Sequence, residues 1–132
     1  MKVYIFGNED LKEDGLAFKV AKKLKNKIEK VSFIKVMPNA DLPFTDEKFT
    51  VIMDTAFGID EITEITDLDN FKLSSSSTVH DFDLAFQLKY LRKIGRLGRV
   101  LVIALPMNKE KIDYLRIQSI LRKLVAQDMQ GS

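Results

Sequence analysis

Apolar residues fall into two rhythms along this chain, short unbroken runs and spacings of three and four. Val3-Tyr4-Ile5-Phe6 is an unbroken run ended by Gly7-Asn8, the pattern of a buried strand. Ala17, Val20, Ala21, Leu24 and Ile28 then recur at helical spacing with lysines opposite, which predicts an amphipathic helix. Val31 to Met37 is rich in β-formers and stops at Pro38; Phe49 to Met53 is a second buried-strand run, ending at Asp54. Ile59 to Leu73 reads as strand with turns. After the polar Ser74 to Ser77, a helix is expected from about Val79 to Ile94, with Phe82, Phe86, Leu88 and Leu91 as its apolar positions. Gly95 and Gly98 bracket the turn into Arg99 to Leu105, the clearest strand of all, which Pro106 ends. A last helix from about Lys109 to Gln127 offers Ile112, Leu115, Leu121 and Leu124 to the core.

Unbroken apolar strands alternating with amphipathic helices predict a mainly parallel sheet covered on both faces, a three-layer α/β/α sandwich. No repeat or linker divides residues 1–132, so the expectation is one domain. Cysteine is absent, which rules out disulfides and cysteine-ligated zinc and suits a reducing compartment. The amino-terminal residues lack a signal-peptide pattern, and no apolar stretch nears the roughly 20 residues of a membrane span. The expected location is the cytoplasm, with no membrane partner.

The net charge of +2 hides two basic clusters, Lys19, Lys22, Lys23, Lys25 and Lys27 in the first helix and Lys89, Arg92, Lys93, Arg96 and Arg99 further on. Acids nearly cancel the bases over the whole chain. The clusters read as solvated helix faces, and no nucleic-acid partner is expected.

In a sheet of this kind the site lies at the carboxyl ends of the parallel strands. Glu13 and Asp14 follow the first strand, and Asp54 follows the third. His80, the single histidine, opens a helix within Ser77-Thr78-Val79-His80-Asp81, where Thr78 and Asp81 form a capping-box-like start. A first-turn imidazole faces the positive end of the helix dipole, which favours its neutral, metal-binding form. Asp14, Asp54 and His80 would meet at one edge as a ligand set suited to zinc, nickel or iron(II), with room left for water or substrate. Each has a plainer reading: Asp14 as a helix-terminus charge, Asp54 as a loop cap, and His80 as a polar first-turn residue. A phosphate cradle between Gly7 and Gly15 is excluded by the spacing and by Glu9, Asp10, Glu13 and Asp14.

These residues, in this order, resemble the hydrogenase maturation endopeptidases, and among them the compact archaeal-type members. That family opens with an apolar strand, Gly-Asn, five residues and an acidic ligand before a helix, matched here by Val3 to Phe6, Gly7-Asn8 and Asp14-Gly15-Leu16-Ala17. Its second ligand, an Asp closing an apolar strand, is matched by Val51-Ile52-Met53-Asp54. Its third, a His opening a helix after a Ser/Thr stretch, is matched by Ser77 to Asp81. A strand followed by proline recurs as Val100 to Pro106. The resemblance implies a twisted, mostly parallel five-stranded sheet between helices. It also implies an aspartic-type, metal-recognising endopeptidase that trims the C-terminal extension from the precursor of a nickel-iron hydrogenase large subunit. By the same resemblance Asp14, Asp54 and His80 are the catalytic, nickel-binding set. The nickel is supplied by the substrate, zinc or cadmium being surrogates, and polarises the scissile carbonyl or activates water. Glu13 and Asp81 are both candidates for the base.

The chain departs from the family in three ways. Ile5 stands where many members have a further glycine. The Asp-Gly-Gly-Thr-like segment after the second strand is replaced by Met37-Pro38-Asn39-Ala40-Asp41-Leu42-Pro43, and the chain is shorter than typical members. These departures leave room for a non-catalytic relic of the fold. The other rival is a phosphoacceptor receiver domain, with Glu13-Asp14 as the acidic pair, Asp54 as acceptor, and Ser77 and Lys109 in support. That reading needs a helix after every strand, which Pro38 to Lys48 and Thr55 to Thr63 serve poorly, and it gives His80 no task.

Overall fold

The computed structural model describes residues 1–7, 15–36, 42–43, 47–56, 59–67, 84–107 and 111–130. Five strands form one sheet: β1 (Lys2–Ile5), β2 (Ser32–Lys35), β3 (Phe49–Ala56), β4 (Thr63–Ile65) and β5 (Arg99–Pro106). Their order is β2-β1-β3-β5-β4, and all neighbours are parallel except β4, which runs antiparallel to β5 at the edge. The helices are α1 (Leu16–Leu24), α2 (Leu84–Lys93) and α3 (Tyr114–Gln130).

Alternation of side chains along each strand divides the core in two. Val3, Ile5, Val51, Met53, Leu101 and Ile103 point to one face and pack with Ala17, Val20 and Leu24 of α1 and Ile117, Leu121 and Leu124 of α3. Tyr4, Ile52, Val100 and Val102 point to the other, against Leu88 of α2 and Leu42 of the connection before β3. Both faces are therefore covered, which is why β1, β3 and β5 read as unbroken apolar runs. Sheet and helices together make a three-layer α/β/α domain with a mostly parallel five-stranded sheet.

The connections follow from right-handed crossing. The chain leaves β1 toward β2 with α1 on one face. It then reverses its direction across the sheet to reach β3, and the intervening Leu42 packs on the opposite face, as does Leu88 of α2 before β5. Travel thus reverses at β1, and the switch point lies between β1 and β3.

Local chemistry fixes the ends of the elements. Lys22 and Lys23 sit in the last turn of α1, where cations oppose the helix dipole. The end of α2 is closed by Gly95 N–H on Arg92 carbonyl at 3.1 Å and Arg96 N–H on Leu91 carbonyl at 2.9 Å, the paired bonds of a Schellman turn. Gly98 lies so close to the chain before β3 that an added Cβ would come within 2.4 Å of the Lys48 carbonyl oxygen. The next residue, Arg99, donates its N–H to that same carbonyl at 2.9 Å, so the approach sets the β3–β5 register.

Several boundaries differ from the sequence pattern. β3 does not stop before Asp54 but continues to Ala56, because β5 stays alongside and pairs Asp54 with Ala104 and Ala56 with Pro106. The expected strand between Ile59 and Leu73 is the three residues of β4 within the described part. The final helix begins at Tyr114 rather than Lys109. Two predicted core residues are on the surface, Phe86 at 66% and Leu115 at 77% exposed, since Leu88 and Ile117 take the buried positions of their helices.

Candidate functional site at the end of β1

β1 stops short of its neighbour. Its last pair with β3 is Ile5 with Met53, after which Phe6 N–H donates to the Met53 carbonyl at 3.1 Å. Gly7 then turns the chain with φ 130°, a backbone angle that side-chain-bearing residues rarely adopt. β3 runs on beside β5 past its last pair with β1, at the switch point where ligands bind in open α/β sheets.

Asp54 lies in this overhanging part of β3. It is two residues beyond Ile52, which pairs with Tyr4, so its side chain shares the α2 face of the sheet. It is 3% exposed, and Thr55 N–H donates to its Oδ1 at 2.8 Å. The origin of this bond is topological. In a parallel ladder the N–H and C=O of one residue face the same neighbour, and alternate residues face alternate neighbours. Met53 faces β1, so Thr55 also faces that side, beyond the last β1 residue in the ladder. The carboxylate of Asp54 takes the N–H that a longer β1 would have bonded. A carboxylate this deeply buried is costly to hold without such donors, so the position carries a reason beyond packing.

The other two predicted ligands, Asp14 and His80, lie outside the described residues, as do the candidate bases Glu13 and Asp81. In sequence Asp14 directly precedes Gly15, the N-cap of α1, and His80 stands four residues before Leu84, the first residue of α2. Among the described residues no group of three His, Cys, Asp or Glu side chains forms a metal cluster. No described helix is long and apolar enough to cross a membrane.

Two polar features are invisible in the sequence pattern. Thr55 is fully buried and its backbone holds Asp54, a role that no residue-type signal announces. Tyr4, which looks like one more apolar strand residue, donates its phenol to the Glu47 carboxylate. Burial first, then the hydrogen bond to Glu47 and its negative charge, push the Tyr4 phenol well above its ordinary value of 10.0. This pair ties the chain before β3 to β1, at the opposite end from Asp54.

A doubly wound α/β domain with a buried acid at its switch point is the class these features define. Among solved structures, the hydrogenase 2 maturation peptidase from Thaumarchaeota archaeon SCGC_AB-539-E09 shares this fold with a TM-score of 0.53 at 16% identity, over 98% of each chain. An uncharacterized protein from Wolinella succinogenes matches with a TM-score of 0.50 at 15% identity, over 98% of this chain and 96% of its own. The [NiFe] hydrogenase maturation protease HycI from Thermococcus kodakarensis KOD1 gives 0.49 at 18% identity, over 96% and 90%. No protein-family model and no curated sequence matches the chain. The fold is that of a hydrogenase maturation peptidase, over nearly the whole length of both chains.

Proposed function

We propose that this chain is an endopeptidase of hydrogenase maturation, which removes the C-terminal extension of a nickel-loaded large-subunit precursor. The observation that carries the reading is Asp54, a buried acid at the switch point of a sheet whose fold is shared with a hydrogenase maturation peptidase. On this reading Asp54, Asp14 and His80 bind the nickel that the precursor brings, and cutting follows only when the metal is in place. The base is Glu13 or Asp81, and the reaction belongs in the cytoplasm. The strand order speaks against a receiver domain: an order of 2-1-3-4-5 would leave β5 at the edge, whereas here an antiparallel β4 flanks it.

The test mixes the protein with a nickel-loaded, unprocessed large subunit and follows the loss of its C-terminal extension by mass spectrometry. Wild type should cut once, while Asp54→Asn and His80→Ala should lower the rate by at least about a hundredfold. Titration with nickel or cadmium alone should show binding that His80→Ala weakens. Equal metal affinity in both proteins would sink the ligand assignment. An intact protein that binds metal yet leaves the precursor uncut would point instead to a non-catalytic relic.

A further inference from the structure

The second basic cluster does not sit on a purely polar helix face. Phe86, Tyr90 and Ile94 are 66%, 57% and 47% exposed, and they follow one another at intervals of four along α2 and its last turn. Ile94 continues the helix, with its N–H on the Tyr90 carbonyl at 3.1 Å. At about 100° per residue these three side chains occupy one narrow stripe. Lys89 and Lys93 border it on one side, with Arg92 beyond them, while Leu88 and Leu91 point the other way into the core. Residues 84–99 contain Lys89, Arg92, Lys93, Arg96 and Arg99 and no acid at all, in a chain whose net charge is only +2.

We infer that this face of α2 docks an acidic segment of a protein partner, which inserts apolar side chains against Phe86, Tyr90 and Ile94. An apolar centre with a charged rim is the anatomy of a protein interface, and the one-sided charge selects an acidic partner and speeds encounter with it. A twofold pairing of this face with itself is disfavoured, because it would oppose one basic segment with another. A nucleic-acid surface would use the cations but leave the stripe uncovered, and a lipid surface, which takes up both parts of such a face, is one outcome of the test below. The identity of the partner rests on the function proposed above: it is the large-subunit precursor, held by α2 while its metal centre meets Asp54.

Two variants test this, Tyr90→Ser/Ile94→Ser and Lys89→Glu/Lys93→Glu, each checked for an unchanged circular dichroism spectrum and melting temperature. All altered residues are at least partly exposed and none belongs to the proposed metal site. Binding to the unprocessed precursor and its cleavage are measured separately. Both variants should bind about tenfold more weakly and raise KM by a similar factor with kcat nearly unchanged, and added salt should weaken wild type far more than the charge-reversed variant. If wild type cuts and both variants cut with the same KM, the docking face is wrong and the peptidase reading stands. If wild type binds without cutting and the variants bind about tenfold more weakly, the peptidase reading fails and the docking face stands. Neither binding nor cutting overturns both. Loss of binding to vesicles of phosphatidylserine and phosphatidylcholine in these variants, with precursor binding intact, would also overturn the proposal in favour of a membrane surface.

Discussion

Thr50 is fully buried in β3, and its Oγ1 is without a hydrogen-bond partner among the described residues. Replacing such a hydroxyl by a methyl of the same shape removes a desolvation penalty, so Thr50→Val should stabilise the fold by about 1 kcal/mol, read as a higher urea midpoint at constant slope. A lower midpoint would mean that the hydroxyl is satisfied in solution. Tyr4 behaves differently, because its phenol has an acceptor in Glu47. The folded state keeps the Tyr4 proton more tightly than the unfolded state, whose value is near 10.0. The stability from this group is therefore complete below that pH and is lost as pH rises toward the folded value. Tyr4→Phe should cost about 1 kcal/mol at neutral pH and flatten the alkaline decline; urea midpoints from about pH 8 to about pH 11 would reveal a parallel decline in both proteins if the idea is wrong. Neither feature was legible in the sequence. An orphan hydroxyl and a phenol–carboxylate bond both depend on what lies across the sheet, which strand composition cannot report.

Among the elements, β1, β3, β5 and α1 were legible because each is governed by its own burial pattern. The local pattern ends β3 at Met53, but its extension beyond that residue is set by β5 rather than by composition. In α2 the spacing rule meets two apolar arcs, Leu88 with Leu91 and Phe86 with Tyr90 and Ile94. Spacing alone cannot say which arc is buried. β4 is too short to show a period, and its antiparallel sense shows only in its pairing with β5. The α2–β5 turn gives a sharp test at this scale. Gly98 has backbone where a Cβ would go, and the Lys48 peptide cannot move without loosening Arg99 N–H from its carbonyl. Gly98→Ala should therefore destabilise by about 1–3 kcal/mol, the range for overpacking, measured by chemical denaturation. A neutral result would show that the segment before β3 yields freely.

For the whole molecule, the fold class was legible because strand–helix alternation and two-sided burial leave few arrangements. Of the candidate site, the position of Asp54 at the switch point was legible from its place behind an apolar run, while Asp14 and His80 fall outside the described residues. Stability should grade across the sheet from its middle. β1, β3 and β5 supply most of the core, whereas β2 and β4 are edge strands with partly exposed side chains. Native-state hydrogen exchange should find the slowest amides in β3 and β5 and faster exchange in β2 and β4; equal protection across all five strands would contradict this grading. The early stop of β1 carries a consequence of a different kind. Because Asp54 is held by an N–H that a longer β1 would bond, the stopping point of that strand works as a setting on the site. Lengthening β1 by a pair of residues would extend the ladder across Thr55 and withdraw that N–H from the carboxylate, while every original side chain kept its face. The length of one strand thus decides how a buried acid two strands' width from either edge is held, with no change at the acid itself.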